Sequence, residues 1–230
     1  MRKFYLLLCF IFCGIVNNSS AQTYQVDTFN MQNTPALTTD ALTTVAVGKG
    51  NVIWAGSLNQ GLYRFKYHQD GSFTKAPMLT NHAIRQMVTD SEGRLYIGQY
   101  GSSGAQAING GVDIIKDSSF NFTHIDALDA QPNKLKTRYV RSIYYNEQNN
   151  KLYVSNTDDL TAGNPRIGGM TIVHQVSIPN YTTSKISGNA MYNIDAVQMS
   201  AITKVSFPDH EEIWLAANRN CSPCTSPRII

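Results

Sequence analysis

Short apolar segments alternating at period two recur along the chain, each bounded by Gly, Asn, Asp or Pro. That alternation marks half-buried strands, and the turn formers between them mark hairpins. Four stretches line up. The first holds Leu42 to Val47, a turn through Gly48-Lys-Gly50-Asn51, Val52-Ile53-Trp54-Ala55-Gly56, and then Gly61-Leu62-Tyr63-Arg64-Phe65. The second holds Ile84 to Val88, a turn at Asp90-Ser-Glu-Gly93, Leu95-Tyr96-Ile97-Gly98, and Gly110-Gly111-Val112 to Ile115. The third holds Val140 to Tyr145, a turn at Asn146 to Asn150, Leu152-Tyr153-Val154, and Gly168-Gly169-Met170 to Val173. The fourth is read as Ile202 to Phe207, a turn at Pro208-Asp-His-Glu211, and Ile213-Trp214-Leu215-Ala216.

Each unit is predicted as strand, tight turn, strand with a central aromatic, loop, glycine, strand. Segments such as Ser72-Phe73-Thr74 and Asn121 to Ile125 supply a fourth strand. Trp54, Tyr96, Tyr153 and Trp214 lie 42, 57 and 61 residues apart, so insertions fall at fixed places, as in a repetitive fold. No stretch of a dozen residues sustains apolar spacing at three and four, so little helix is expected. The expected fold class is all-β: a β-propeller, present as a partial ring of three blades plus an incomplete fourth. The blades are placed near residues 42–80, 84–128 and 140–185, with 202–230 incomplete. A glycine entering each third strand permits positive φ or close backbone approach. The central aromatics are expected to pack between neighbouring blades.

The turn-and-aromatic segments Asp90-Ser-Glu-Gly93-Arg-Leu-Tyr96-Ile-Gly98 and Asn51-Val-Ile-Trp54-Ala-Gly56, the latter followed by Gly61-Leu-Tyr63, resemble the repeats of the two-component-regulator propeller family. The likeness covers most of Leu42 to Ala217. Tyr replaces Trp in the second and third units, and the inserted loops are longer than the family pattern. The resemblance implies an extracytoplasmic sensing or interaction module.

Ahead of the repeats, Met1 to Ala21 has the form of a secretory signal peptide: Arg2 and Lys3, an apolar run from Phe4 to Val16, and small residues before Gln22. That run has 13 residues against the ~20 that a spanning helix needs. No later segment is apolar enough to cross a membrane, so the product is expected to be secreted, periplasmic or on the cell surface. Within residues 22–41, Tyr24 to Phe29 alternates like an outer strand; it either closes the last blade of a full ring or forms an N-terminal tail. The fourth unit stops early, with its third and fourth strands expected to be missing, so the chain reads as the N-terminal part of a longer protein or a truncated product.

Composition narrows the function. Across 230 residues, 42% are hydrophobic and 15% charged, which excludes a disordered chain. The net charge of +3 includes two leader residues, so no nucleic-acid partner is expected. The partner is read as a protein or a carbohydrate. The stretches Gln99 to Asn109, Ser155 to Ile167 and Ala217 to Arg228 would crowd one face, and loops carry function more often than strands do. There Asn156 and Asn164 offer hydrogen bonds to a sugar, Asp158 and Asp159 are hard oxygen donors, and Tyr100 offers a ring for stacking. The bland alternative is that these Asp and Asn residues serve their own turns. Arg85 and Arg141 occupy equivalent places in innermost strands, where they either bind an anion or pair with neighbouring carboxylates.

Cys221-Ser-Pro-Cys224 is read as a local disulfide of an exported chain. No cofactor or metal is implied. The five histidines lack metal-ligand spacing, no nucleophile elbow is present, and Asp209-His210-Glu211-Glu212 reads as a solvated turn. The leading functional expectation is an exported, non-catalytic binding module. The rivals are a glycan-active propeller enzyme with part of its site beyond residue 230, and a structural surface scaffold.

Overall fold

The computed structural model describes residues 30–32, 41–58, 60–67, 73–78, 83–100, 110–116, 122–127, 134–135, 137–157, 169–174, 181–187, 197–219 and 228–229. The expected leader and closing strand, the sites Asp158, Asp159 and Asn164, and the pair Cys221 and Cys224 lie outside them.

Among the described residues the fold is all-β, in four antiparallel sheets that follow one another along the chain. The first contains β1 (Leu42–Gly48), β2 (Val52–Ser57), β3 (Gly61–Tyr67) and β4 (Phe73–Met78) in sequential order. The second contains β5 (Ile84–Thr89), β6 (Leu95–Gln99), β7 (Gly111–Ile115) and β8 (Phe122–Ile125). The third contains β9 (Val140–Asn146), β10 (Lys151–Asn156), β11 (Gly169–His174) and β12 (Thr182–Ser187). The fourth contains β13 (Val197–Ser206), β14 (Glu211–Arg219) and β15 (Arg228–Ile229).

Two expectations for the fourth sheet need correction. Its first strand starts at Val197, five residues before Ile202, because its hairpin runs further beyond the aromatic than those of the other sheets. Ile202, opposite Leu215, is therefore the counterpart of Met87 and Ile143, and not of Ile84 and Val140. The third strand, expected to be missing, begins at β15, where Ala217 pairs Arg228 and Ala216 pairs Ile229.

The sheets pack through their faces. Ala46, Val52, Trp54 and Leu62 of the first meet Ile84, Met87, Leu95, Ile97 and Ile115 of the second. From the other side of the second sheet, Tyr96, Val112, Ile114 and Ile125 meet Val140, Ile143, Leu152, Val154 and Val173 of the third. Both faces of the second sheet are covered, which is why β6 and β7 are buried at every position.

The first strands of the sheets lie side by side: β1 packs on β5, β5 on β9 and β9 on β13. An edge strand leaves N–H groups that must find acceptors. Here the acceptor comes from the preceding sheet each time. Met87 N–H donates to Thr44 Oγ1 at 3.3 Å, Ile143 N–H to Gln86 Oε1 at 2.9 Å, and Ile202 N–H to Ser142 Oγ at 3.1 Å. Thr44, Gln86 and Ser142 occupy one register position, as do Met87, Ile143 and Ile202. The same link thus joins every consecutive pair of sheets.

Candidate functional site

All four first strands carry a β-bulge at the same place. The residue left without a partner on the second strand is Thr43, Arg85, Arg141 and Ser200 in turn. A bulge twists its strand and re-aims the extra side chain. Two of these four side chains are arginines.

The two guanidiniums converge on one ring. The Cζ atoms of Arg85 and Arg141 lie 5.2 Å and 4.7 Å from the centroid of Tyr100. Tyr100 follows β6 directly; its N–H donates to the Ala83 carbonyl at 2.9 Å, and it bridges to Tyr139, whose ring meets it edge-on at 5.4 Å. A cation over an aromatic face is worth about 0.5–1 kcal/mol when exposed and ~2 when desolvated. All three residues are half-buried. Neither arginine makes an ion pair with another described residue, and the buried Nε of Arg85 has no hydrogen-bond partner among them. Three of the sequence-nominated residues therefore form one cationic cluster at the junction of the second and third sheets.

Asn156 is placed differently. It is fully buried at the end of β10; its Nδ2 donates to the Thr137 carbonyl at 2.9 Å, and its Oδ1 accepts from Thr171 Oγ1 at 2.7 Å. Its register counterpart in the second sheet is Gln99, which donates to Asp113, the counterpart of Thr171. This polar pair recurs at one place in both sheets and ties the second strand to the third.

The turn motif also has a structural task. Asp90 closes its turn by accepting from the Arg94 N–H at 2.8 Å, pairs with the Arg94 guanidinium, and accepts from Tyr96 Oη at 3.0 Å. At the fourth turn, His210 is half-exposed and stacks on Phe207 at 4.8 Å, as a solvated corner would.

Sequence reasoning passed over one buried ionic group. His124 Nδ1 lies 2.6 Å from Asp113 Oδ1, Asp126 faces its other nitrogen at 3.9 Å, and Arg138 approaches Asp126 at 3.7 Å. The only signal was a charged residue, Asp113, within an otherwise apolar strand. Hydrogen bonds to Asp113 and Asp126 outweigh burial and raise the His124 pKa to about 9. The folded pKa lies above the ordinary 6.5, so this stabilisation is complete below about pH 6.5 and is lost as pH rises through about 9. With partial solvent screening, the loss is on the order of 1–3 kcal/mol. Thermal melts at about pH 6 and about pH 10 should show a drop in wild type that is much smaller in His124→Gln. Equal drops in both would remove His124 as the cause.

No group of three or more His, Cys, Asp or Glu among the described residues is placed to hold a metal ion. No helix among them is long and apolar enough to cross a membrane.

No family model matches the chain, and no curated protein matches it. Among solved structures, the extracellular domain of BT3049, assigned to a hybrid two-component system of B. thetaiotaomicron, aligns with 84% of this chain and 28% of its own at 16% identity and a TM-score of 0.40. PorZ, a surface component of the type-IX secretion system of Porphyromonas gingivalis, aligns with 76% of this chain and 24% of its own at 13% identity and a TM-score of 0.49. The extracellular domain of BT4673, assigned to a one-component system of B. thetaiotaomicron, aligns with 76% and 27% at 12% identity and a TM-score of 0.36. The chain thus spans about a quarter of the length of these structures. Such low identities leave the functional reading to this chain's own residues.

Proposed function

We propose that the chain is an exported, non-catalytic ligand-binding module built of β-propeller blades, three and part of a fourth. Residues 1–21 serve as its secretion signal, and the product works in the periplasm, at the cell surface or outside the cell. In this reading β1, β5, β9 and β13 are the innermost strands around a common axis, and the bulge residues border the channel.

The observation that carries the binding role is the convergence of Arg85 and Arg141 on Tyr100. Two like charges held on one ring, without a carboxylate among the described residues to offset them, favour an anionic ligand. Guanidinium forks match carboxylates in bidentate geometry. An acidic carbohydrate suits this chemistry, with its carboxylate between the arginines. Asp158, Asp159 and Asn164, which follow β10 in the sequence, are proposed as further contacts to the hydroxyl groups of the sugar, away from its carboxylate.

The test is titration of the full chain with tri-galacturonate and with a neutral trisaccharide. We expect the acidic ligand alone to bind, and Arg85→Gln/Arg141→Gln to weaken it by about tenfold or more. Equal binding of the neutral sugar, or an affinity unchanged by the double substitution, would contradict the reading.

A further inference from the structure

At the opposite end of the same strands, the turns joining first to second strands border a groove of about 310 Å³ between the first and second sheets. That volume sits at the lower end of the range for small-molecule sites, ~300–1,000 Å³. Four cations line it: Lys49 from the β1–β2 turn, Arg64 and Lys66 from one face of β3, and Lys116 just after β7. Among the described lining residues Glu92 is the single carboxylate, and it also lies 3.6 Å from the Arg94 guanidinium. Cations thus outnumber carboxylates four to one in the described lining.

The arrangement is partly preorganised. The buried Trp54 lies in the lining, and the Arg64 Cζ is held 5.7 Å from its ring centroid. That contact orients the guanidinium before any ligand arrives. Like charges brought together repel, and the repulsion is relieved by a ligand of opposite sign. Four donors approaching from three places in two sheets suit a tetrahedral oxyanion, which accepts on several oxygens, better than a planar carboxylate with two.

We infer that this groove binds a compact phosphate or sulfate ester, at a site separate from and independent of the Arg85, Tyr100 and Arg141 cluster. Lys49, Lys66 and Lys116 are exposed, so their charge can be removed without disturbing the packing of Trp54.

The experiment is calorimetric titration of the full chain at low ionic strength with glucose 6-phosphate, glucose 6-sulfate and glucose. At least one ester is expected to bind and glucose is not. Lys49→Gln/Lys116→Gln should weaken the bound ester by about tenfold or more, while Arg85→Gln/Arg141→Gln should leave it unchanged. Phosphate affinity that rises between about pH 5.5 and about pH 7.5, with sulfate weaker, would identify a phosphate-ester site. Affinity flat over that interval, with sulfate equal or tighter, would identify a sulfate-ester site. Binding of neither ester at millimolar concentration, or an affinity untouched by the lysine substitutions, would overturn the inference. Loss only in the arginine variant would transfer the binding to the other cluster.

Discussion

Gly111→Ala is expected to destabilise the protein by roughly 3–5 kcal/mol, the combined effect of backbone strain and overpacking. Gly111 opens β7 at φ +117°, in a region that L side chains rarely adopt. A Cβ there would lie 2.4 Å from the Ile125 carbonyl oxygen and 3.2 Å from His124 Cε1. The first obstacle is backbone of the neighbouring strand and cannot rotate aside. Gly61 and Gly169 open β3 and β11 with φ of +77° and +152°, so positive φ recurs at this place in the three sheets, at different values. Gly50 supplies the control. Its φ is +72°, but a Cβ would meet nothing within 4 Å, so alanine should cost only about 1–2 kcal/mol there. Urea denaturation of the two variants separates them. Similar midpoints would mean that β7 and β8 do not approach as described.

Tyr96→Ala carries the second large effect, a loss of roughly 3–5 kcal/mol. The ring is fully buried between the second and third sheets and stacks on Tyr145 with centroids 4.7 Å apart. Its hydroxyl donates to Asp90, and burial together with that carboxylate holds the phenol well above its ordinary pKa, as a committed donor. Tyr96→Phe keeps the packing and removes one hydrogen bond, so about 1 kcal/mol is expected. Asp90 retains its bonds to Arg94 in that variant. Thermal unfolding should therefore rank wild type, Phe and Ala in that order with a wide second gap. A small loss in Tyr96→Ala would mean that the ring does not bridge two sheets.

The strands, the tight turns and the aromatic at the centre of each second strand were legible because period-two alternation and turn chemistry act locally. The fourth strands at Phe73 and Phe122 were found the same way. The fourth sheet was misread at its start because Ile202 and Val205 imitate the spacing of Ile84 and Met87, and pairing to β14 rather than spacing sets the register. The bulges were hidden, since one extra residue in a strand only interrupts alternation and Thr43, Arg85, Arg141 and Ser200 do not share one residue type. Arg85 and Arg141 were recognised as equivalent, yet their meeting on Tyr100 depends on neighbouring sheets sharing an edge. The links from Thr44, Gln86 and Ser142 were invisible for a related reason: three different side chains each supply one acceptor oxygen.

Those links define the central claim, that each sheet holds the next by one repeated contact along the first strands. Site-resolved amide exchange under native conditions tests it with Gln86→Ala and Ser142→Ala. Gln86→Ala is expected to speed exchange at Ile143 by about tenfold and to leave Ile202 unchanged, while Ser142→Ala should do the reverse. Protection unchanged at both amides, or lost uniformly across the chain in either variant, would contradict it.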